Sequence, residues 1–262
     1  MRIKKVIFKN CYGEEITFTR HFPLYVEKID TFGYSGRFNS DKLIDSPGQF
    51  TSSFDVSGKV MPAEFAFWDR YGDSQTLKKI ERVFTPLKTG LLTVFDTDDM
   101  IYRIDAYPTA APSFQRTGRV IRWSVSFAAD YPYWIKGYEM KSVEIPANTV
   151  AEIFNHSMIP TPVMLILPAY GSSRTVAKVR LNTNNSQWED DKKIKVDTYN
   201  SGILKINTKD YKVVDESGEN KNNVLYTDTQ LDDIFLEPGI NYFRCIQKEF
   251  TVRFWELTAG VI

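Results

Sequence analysis

The sequence has few of the residues from which most catalytic and metal sites are built. It contains two cysteines, Cys11 and Cys245, and two histidines, His21 and His156, among 262 residues. Neither histidine lies within metal-ligand spacing of the other or of a cysteine, so both are expected to be structural or surface residues. The cysteines stand at opposite ends of the chain, which argues against a disulfide framework and indicates folding in a reducing compartment. A bridge between the two is the less favoured alternative.

Long apolar runs and net charge are also lacking. The basic start, residues 1–5, is followed by three apolar residues and then by Lys9 and Asn10, so no secretory signal is predicted. The most apolar run, residues 162–170, is far shorter than the roughly 20 residues of a membrane helix. Lysine plus arginine and aspartate plus glutamate both number 33, giving a formal net charge of +0. This balance predicts neither a membrane nor a sequence-specific nucleic-acid partner.

Familiar catalytic motifs are missing as well. There is no Gly-x-Ser-x-Gly elbow, no Gly-rich phosphate loop and no His-Glu-x-x-His pair. A β-sandwich glycosidase stays open as an alternative, because its paired acids are defined by separation in space and not in sequence. The sequence therefore predicts no catalytic, cofactor-binding or metal-binding residue, no cofactor and no enzymatic activity.

Apolar residues that recur at every second position predict a mainly β chain. The clearest strand is Val120 to Phe127, in which Trp123 and Phe127 are expected to face the core and Arg122 the other side. Further strands are predicted at residues 24–29, 54–56, 91–95, 100–106, 150–154, 163–167, 176–181, 194–196, 203–206, 241–244 and 249–255.

One short helix interrupts this pattern. Leu77, Ile80 and Phe84 are spaced three and four residues apart, which is typical of the buried stripe of a helix. Ser74 is the predicted N-cap, and Pro86 follows the end. We expect this helix to lie on the sheet.

The length fits two domains better than one. Pro132 and Gly137 bracket an aromatic exit from the long strand, and residues 136–138 are a plausible hinge, so the predicted domains are residues 1–135 and 136–262. Repeated short strands and turns predict a β-sandwich or jelly roll for the second domain. Its own core is expected to use alternating residues: Val163, Leu165, Val179, Leu181, Phe250, Val252 and Phe254.

Between Gly33 and Phe50 the apolar pattern disappears and turn-forming residues dominate. This composition predicts a long loop or arm. Loops of that length are usually functional or ordered by a partner, although a plain surface excursion is the alternative.

Two polar clusters are candidate ligand-binding sites. Asp96, Asp98 and Asp99 could coordinate Ca²⁺, but no EF-hand pattern follows, and a hairpin turn is favoured. Residues 182–189, with Trp188 beside Glu189, could stack on and hydrogen-bond a sugar ring. A packed position for Trp188 in a sandwich is favoured over this, because large aromatic residues in strands are usually core.

The order of several motifs resembles the distal tail protein family of siphophages. Downstream of the helix the sequence has a segment that runs from a Pro to a Gly-Leu pair, then a long strand, then an aromatic segment that follows the strand. The second half begins with an Asn and a Thr-Pro pair, and a Leu-x-Pro-Gly-x-Asn turn comes late in the chain. The residues are Thr85–Leu92, Arg103–Tyr107, Arg119–Phe127, Asp130–Trp134, Phe154–Ser157 with Thr161-Pro162, and Leu236–Asn241. The family's usual Gly after Asn155 is absent, and Leu204–Asn207 ends in Asn where Asp is more usual.

The resemblance implies a tail-tube-like β domain with one short helix, followed by a galectin-like β-sandwich that projects outward. It also implies a homo-hexameric ring that connects the tail tube protein to a tail-associated, fibre or lysin-type protein, with a receptor-binding protein as a further partner. The location would be the virion tail tip, after assembly in the host bacterial cytoplasm. Residues near 33 to 50 are expected to cross to the adjacent subunit. A carbohydrate-binding adhesin module of the tail tip is the alternative function.

Overall fold

The computed structural model describes residues 3–21, 23–32, 34–42, 49–68, 74–184, 186–198, 202–226, 229, 231 and 234–261. Strands dominate these residues, with one α-helix among them, and the mainly β prediction is confirmed. The chain forms two compact units, Met1–Gly137 with Thr258–Ile262 and Tyr138–Leu257. None of the helical segments in the described ranges is long and apolar enough to cross a membrane.

The first unit is built on a closed barrel. Its elements are β1 (Ile3–Asn10), β2 (Glu15–Thr19), β3 (Leu24–Ile29), β4 (Tyr34–Lys42), β5 (Gln49–Trp68), α1 (Ser74–Val83), β6 (Gly90–Asp96), β7 (Ile101–Pro108), β8 (Ser113–Thr117), β9 (Val120–Ala129) and the start of β10 (Trp134–Ile145). Seven strands close in the order β1-β2-β3-β5-β9-β7-β6 and return to β1. The β2–β3 pair is parallel, and β8 adds to the first half of β9.

Alternation along the strands fills the barrel with aromatic rings. As the sequence predicted, Trp123 and Phe127 on β9 are buried while Arg122 faces out. Arg122 pairs there with Glu27. The Trp123 ring stacks on Phe65 at 4.7 Å between ring centroids. Such ring contacts add to the free energy of burial.

The predicted helix is confirmed as α1, which begins at Ser74 itself and not after it. Leu77 is partly buried, Ile80 is fully buried, and Phe84, directly after the helix, packs its ring 5.1 Å from that of Phe8. After α1 the chain re-enters the barrel at Gly90. A Cβ there would lie 2.5 Å from the Lys9 carbonyl oxygen and 2.7 Å from the Phe8 ring, so this position of the Gly-Leu motif requires glycine.

A buried lysine joins the end of the chain to the barrel. Lys59, on β5, is 1% exposed, and its ammonium donates to the Thr31 carbonyl (2.7 Å) and to the Ala259 carbonyl. The Thr31 carbonyl also accepts from the Trp134 indole (3.1 Å), and the Thr31 hydroxyl accepts from the Val261 N–H (3.3 Å). Thr31 therefore fixes both the segment that leaves the first unit and the segment that returns to it.

Burial lowers the pKa of Lys59 to about 8, with Asp30 opposing the shift. Between about pH 8 and the pKa near 10.5 of an unfolded lysine, the unfolded chain binds a proton that the folded chain has released. Stability from this group therefore rises with pH across that window. We expect the free energy of unfolding of the wild type, relative to Lys59→Met, to increase between pH 7 and pH 10.

Urea denaturation of both proteins at the two pH values measures this difference. Tyr131, whose pKa is raised to about 12 by burial, acts in the opposite direction at high pH but is present in both proteins and cancels. A difference that does not change with pH would show that Lys59 is not desolvated in the folded state.

The second unit has two sheets packed on one core. Its elements are the rest of β10, β11 (Thr149–Asn155), β12 (Thr161–Leu167), β13 (Ser173–Asn182), β14 (Gln187–Asp197), β15 (Leu204–Asn207), β16 (Lys212–Val214), a 3₁₀ turn (Asn222–Val224), β17 (Phe235–Leu236), β18 (Gly239–Cys245) and β19 (Phe250–Thr258). One sheet runs β16-β15-β12-β19-β10, with β17 on β12, and the other runs β11-β18-β13-β14. Their inner faces share one cluster of buried residues.

The two compact units divide between Gly137 and Tyr138, within the predicted hinge at residues 136–138, and β10 runs unbroken through this point with Gly137 at a φ of +85°. One expectation about this unit is wrong. On β13, Val179 is buried but belongs to no part of the second unit's core cluster, and Leu181 is 47% exposed. The inward positions of β13 are Arg174, Val176 and Lys178. Arg174 and Lys178 can be buried because their cations donate to backbone carbonyls, including those of Pro168 and Phe235.

Candidate interaction surfaces

Residues 33–50 were predicted to be a long loop or arm, and the described part is an arm of regular strand and not a loop. Tyr34–Lys42 and the first half of β5 form a two-stranded antiparallel ribbon, with pairs that run from Tyr34 opposite Lys59 to Lys42 opposite Gln49. Residues 33 and 43–48 lie outside the described residues. The hydrogen-bonded backbone explains how a segment without a periodic apolar face can be regular.

The ribbon extends beyond the barrel. Within β5, Lys59–Trp68 pairs with β9, whereas Gln49–Ser57 pairs, among the described strands, with β4 alone. Nine residues of strand span about 30 Å. Since an isolated two-stranded ribbon is marginal in water, this length of ribbon is suited to packing against another surface.

The aspartate cluster is a hairpin turn, as the favoured interpretation had it. Asp96 Oδ1 accepts from the backbone N–H groups of Asp98 (2.8 Å) and Met100 (2.9 Å), and Asp99 forms an ion pair with Lys4 at 2.6 Å. Two of the three carboxylates are thus directed to different partners. Among the described residues no group of three or more His, Cys, Asp or Glu side chains is placed to hold a metal ion.

The structure separates the residues of the predicted sugar platform. Asn182 donates to Glu189 at 2.6 Å, and Trp188, the neighbour of Glu189 on β14, points to the other face of the strand. There the Trp188 ring lies 4.7 Å from the ring of Tyr242 on β18. Val179 lies on β13, the strand between them, and is 4% exposed. The pairing of Trp188 with Tyr242 was not predicted.

Trp188 ends a line of side chains that crosses the outer face of the four-stranded sheet. Phe154 lies opposite Ile240, and Leu181 lies opposite Trp188. Ile240 and Leu181 fall in the same register, because Tyr242 lies opposite Val179. Phe154, Ile240 and Leu181 are 48%, 52% and 47% exposed, and Trp188 is half-buried. We call these four side chains the apolar row.

Charged groups accompany the apolar row on the same face. In the next row Glu152 lies opposite Tyr242, and Asp190 lies opposite Val179. Asp190 forms an ion pair with Arg244, two residues beyond Tyr242. The outer face therefore combines an exposed apolar line with carboxylate, guanidinium and phenol groups beside it.

The asparagines of the resemblance motifs have structural roles. Asn155, 1% exposed, donates to Thr161 (3.2 Å) and to the Leu236 carbonyl (3.1 Å), which joins β11, β12 and β17. Asn241, 2% exposed, accepts from the N–H of Glu237 and donates to the carbonyls of Glu237 and Gly239. These bonds hold the late turn in shape.

Each of the two units holds one histidine and one cysteine. His21 lies in the first unit, and His156, in the second, contacts the Phe154 ring. Cys11 is exposed, Cys245 is buried, and both are free thiols.

The sequence matches no family model, and no curated protein is significantly similar to it. In three dimensions the chain is similar to the Dit (gp 19.1) protein of phage SPP1, described as a paradigm of the hub adsorption apparatus in phages that infect Gram-positive bacteria. The identity is 13%, the match covers 96% of this chain and 98% of that chain, and the TM-score is 0.73. A chain of the phage P2 baseplate in its activated conformation with Ca matches at 13% identity over 97% and 98%, with a TM-score of 0.50. The resemblance to phage hub and baseplate proteins is thus confirmed at the level of the overall fold.

Proposed function

We propose that the protein is a structural component of a siphophage or prophage tail tip. In this function it forms a hexameric ring that connects the tail tube to the tail-associated, adsorption apparatus. The observation that carries the proposal is the likeness to SPP1 Dit, which extends over 96% of this chain and 98% of that hub protein. A likeness over both full chains favours a shared role more than a match to one domain would.

The ribbon of β4 and β5 supplies the contact that a ring needs. Ring closure requires two different complementary surfaces on each copy, so that head-to-tail contacts close under rotation. The ribbon is about 30 Å long, and over Gln49–Ser57 none of the other described strands pairs with it, so it can pack on the adjacent subunit. We assign it that role.

The two units have separate tasks in this proposal. The first, predicted as residues 1–135, is the tail-tube-like domain that builds the ring and contacts the tail tube protein. The second, predicted as residues 136–262, is a galectin-like sandwich that projects outward toward a tail-associated or receptor-binding protein. The protein would act at the virion tail tip after assembly in the host bacterial cytoplasm.

The first unit is expected to form the ring without the second, provided that it keeps the returning segment. Val261 is 2% exposed in the barrel core, and Ala259 is a partner of Lys59, so a plain 1–135 fragment would lose both contacts. Thr31 binds both Trp134 and Val261, which places the two segments close together. A Gly-Ser linker in place of residues 138–257 should therefore give a folded barrel.

Electron microscopy of this linker variant, mixed with the tail tube protein of the same phage genome, tests the proposal. We expect rings seated on the ends of the tubes, and the full-length protein serves as the control. If the full-length protein forms rings and the linker variant does not, the proposed division of tasks between the two units is refuted. No rings and no tube binding from either protein would refute the hub function.

A second candidate function, the carbohydrate-binding adhesin, is favoured by one observation. Trp188 and Tyr242 present a pair of half-buried rings on the outer face of the second unit, beside exposed apolar side chains. This function is compatible with the ring.

A further inference from the structure

We propose that the apolar row of Phe154, Ile240, Leu181 and Trp188, with Tyr242 and the charged groups beside it, is a binding site for a linear oligosaccharide. The inference rests on the adhesin function above and gives it a location. Of the site that the sequence suggested it keeps Trp188 alone, because Asn182 and Glu189 lie on the other side of the sheet and bond to each other.

The length of the row suits a short chain of sugar rings. Its four side chains sit on four adjacent strands, so the row is about 14 Å long at the usual strand spacing. It runs across the strands and not along one of them. A partner that added a strand would bind at an edge of the sheet, whereas this row lies on its face.

The side chains on this face can contact both the C–H groups and the hydroxyl groups of a pyranose. The C–H groups on a sugar ring carry partial positive charge and are attracted to the negative faces of Trp188 and Tyr242. The hydroxyls at the edge of the ring need donors and acceptors. Glu152 and Asp190 accept, and the Arg244 guanidinium has more donors than its ion pair with Asp190 uses.

The size of the row argues against a second copy of the chain. Half-exposed side chains of this size offer roughly 100 Å² each, or about 400 Å² together. A stable protein dimer buries about 800 Å² on each partner. The row is therefore too small for a stable dimer by itself and fits a ligand that covers a few side chains.

The test is calorimetric titration of the full-length protein with neutral linear hexasaccharides: β-1,4-glucan, α-1,4-glucan and β-1,4-linked N-acetylglucosamine. We expect at least one of them to bind. Trp188→Ala and Phe154→Ser, at opposite ends of the row, should each weaken binding about tenfold, as expected when a stacked aromatic is removed. Trp188→Phe keeps a ring and should stay within about threefold of wild type.

Tyr138→Ala is the matched control, because Tyr138 is a 68% exposed aromatic residue of the second unit outside the row. Its affinity should equal that of the wild type. Binding that survives Trp188→Ala and Phe154→Ser would overturn this site while leaving the adhesin function standing. Failure to bind every hexasaccharide would overturn both. If the wild type self-associates and Trp188→Ala abolishes that association, the occupant of the row is a second copy of the chain and the proposal is overturned. None of these results tests the hexameric ring.

Discussion

Replacement of residues 38–54 by an Asn-Gly turn is expected to abolish ring assembly while leaving the barrel folded. The backbones of Arg37 and Asp55 are paired in the ribbon, so a two-residue hairpin can join them. The part of β5 that belongs to the barrel, Lys59–Trp68, is untouched. The variant lacks most of the surface that we assign to the adjacent subunit.

Sedimentation velocity and thermal unfolding together measure this effect. We expect a monomer at every concentration, with an unfolding temperature close to that of the isolated wild-type subunit. Arg122→Ala is a control, because it removes an exposed ion pair with Glu27 on the barrel wall and leaves the ribbon intact. Rings that form normally without the ribbon would assign closure to another surface of the barrel.

Truncation of Trp123 to alanine is expected to destabilise the first unit by about 3–5 kcal/mol. The side chain is 2% exposed and contacts the rings of Phe18, Phe65 and Phe84, so its removal leaves a cavity lined by rigid aromatic groups. Urea denaturation with Trp fluorescence gives the free energy of unfolding. A loss under about 1 kcal/mol would mean that the faces of β9 are assigned backwards.

Trp123→Phe separates the loss of volume from the loss of polar contacts. Among the described residues the Trp123 indole N–H has no hydrogen-bond partner although it is buried. Phenylalanine removes this unpaired donor and keeps an aromatic ring, so the loss should be much smaller than for alanine. An equal loss for both variants would point to a hydrogen bond of the indole.

The barrel was predictable where burial alone sets the pattern. On β9 one face is buried and the other is wet, so strict alternation assigned Trp123 and Phe127 correctly. The stripe on α1 was equally clear. The ribbon was not predictable. It is formed by backbone pairing between β4 and β5, which requires no apolar periodicity, and residues 33–50 have none.

The sequence pattern assigned two residues of the outer face of the second unit to its core. The pattern assigned Val179 and Leu181 to the core, since an inward face with Arg174 and Lys178 looks polar. Only the structure shows the carbonyls that satisfy these cations. The sequence also grouped Trp188 with its sequence neighbours, because its partner, Tyr242, lies on a strand that is distant in sequence.

The most direct test of the hub function is the mass of the full-length protein in solution at several concentrations, alone and with the tail tube protein. Native mass spectrometry can count the copies. We expect a closed species of six copies of the 30.3 kDa chain, present at high concentration or induced by the tube protein through mass action. A monomer at every concentration that stays monomeric with the tube protein would contradict it.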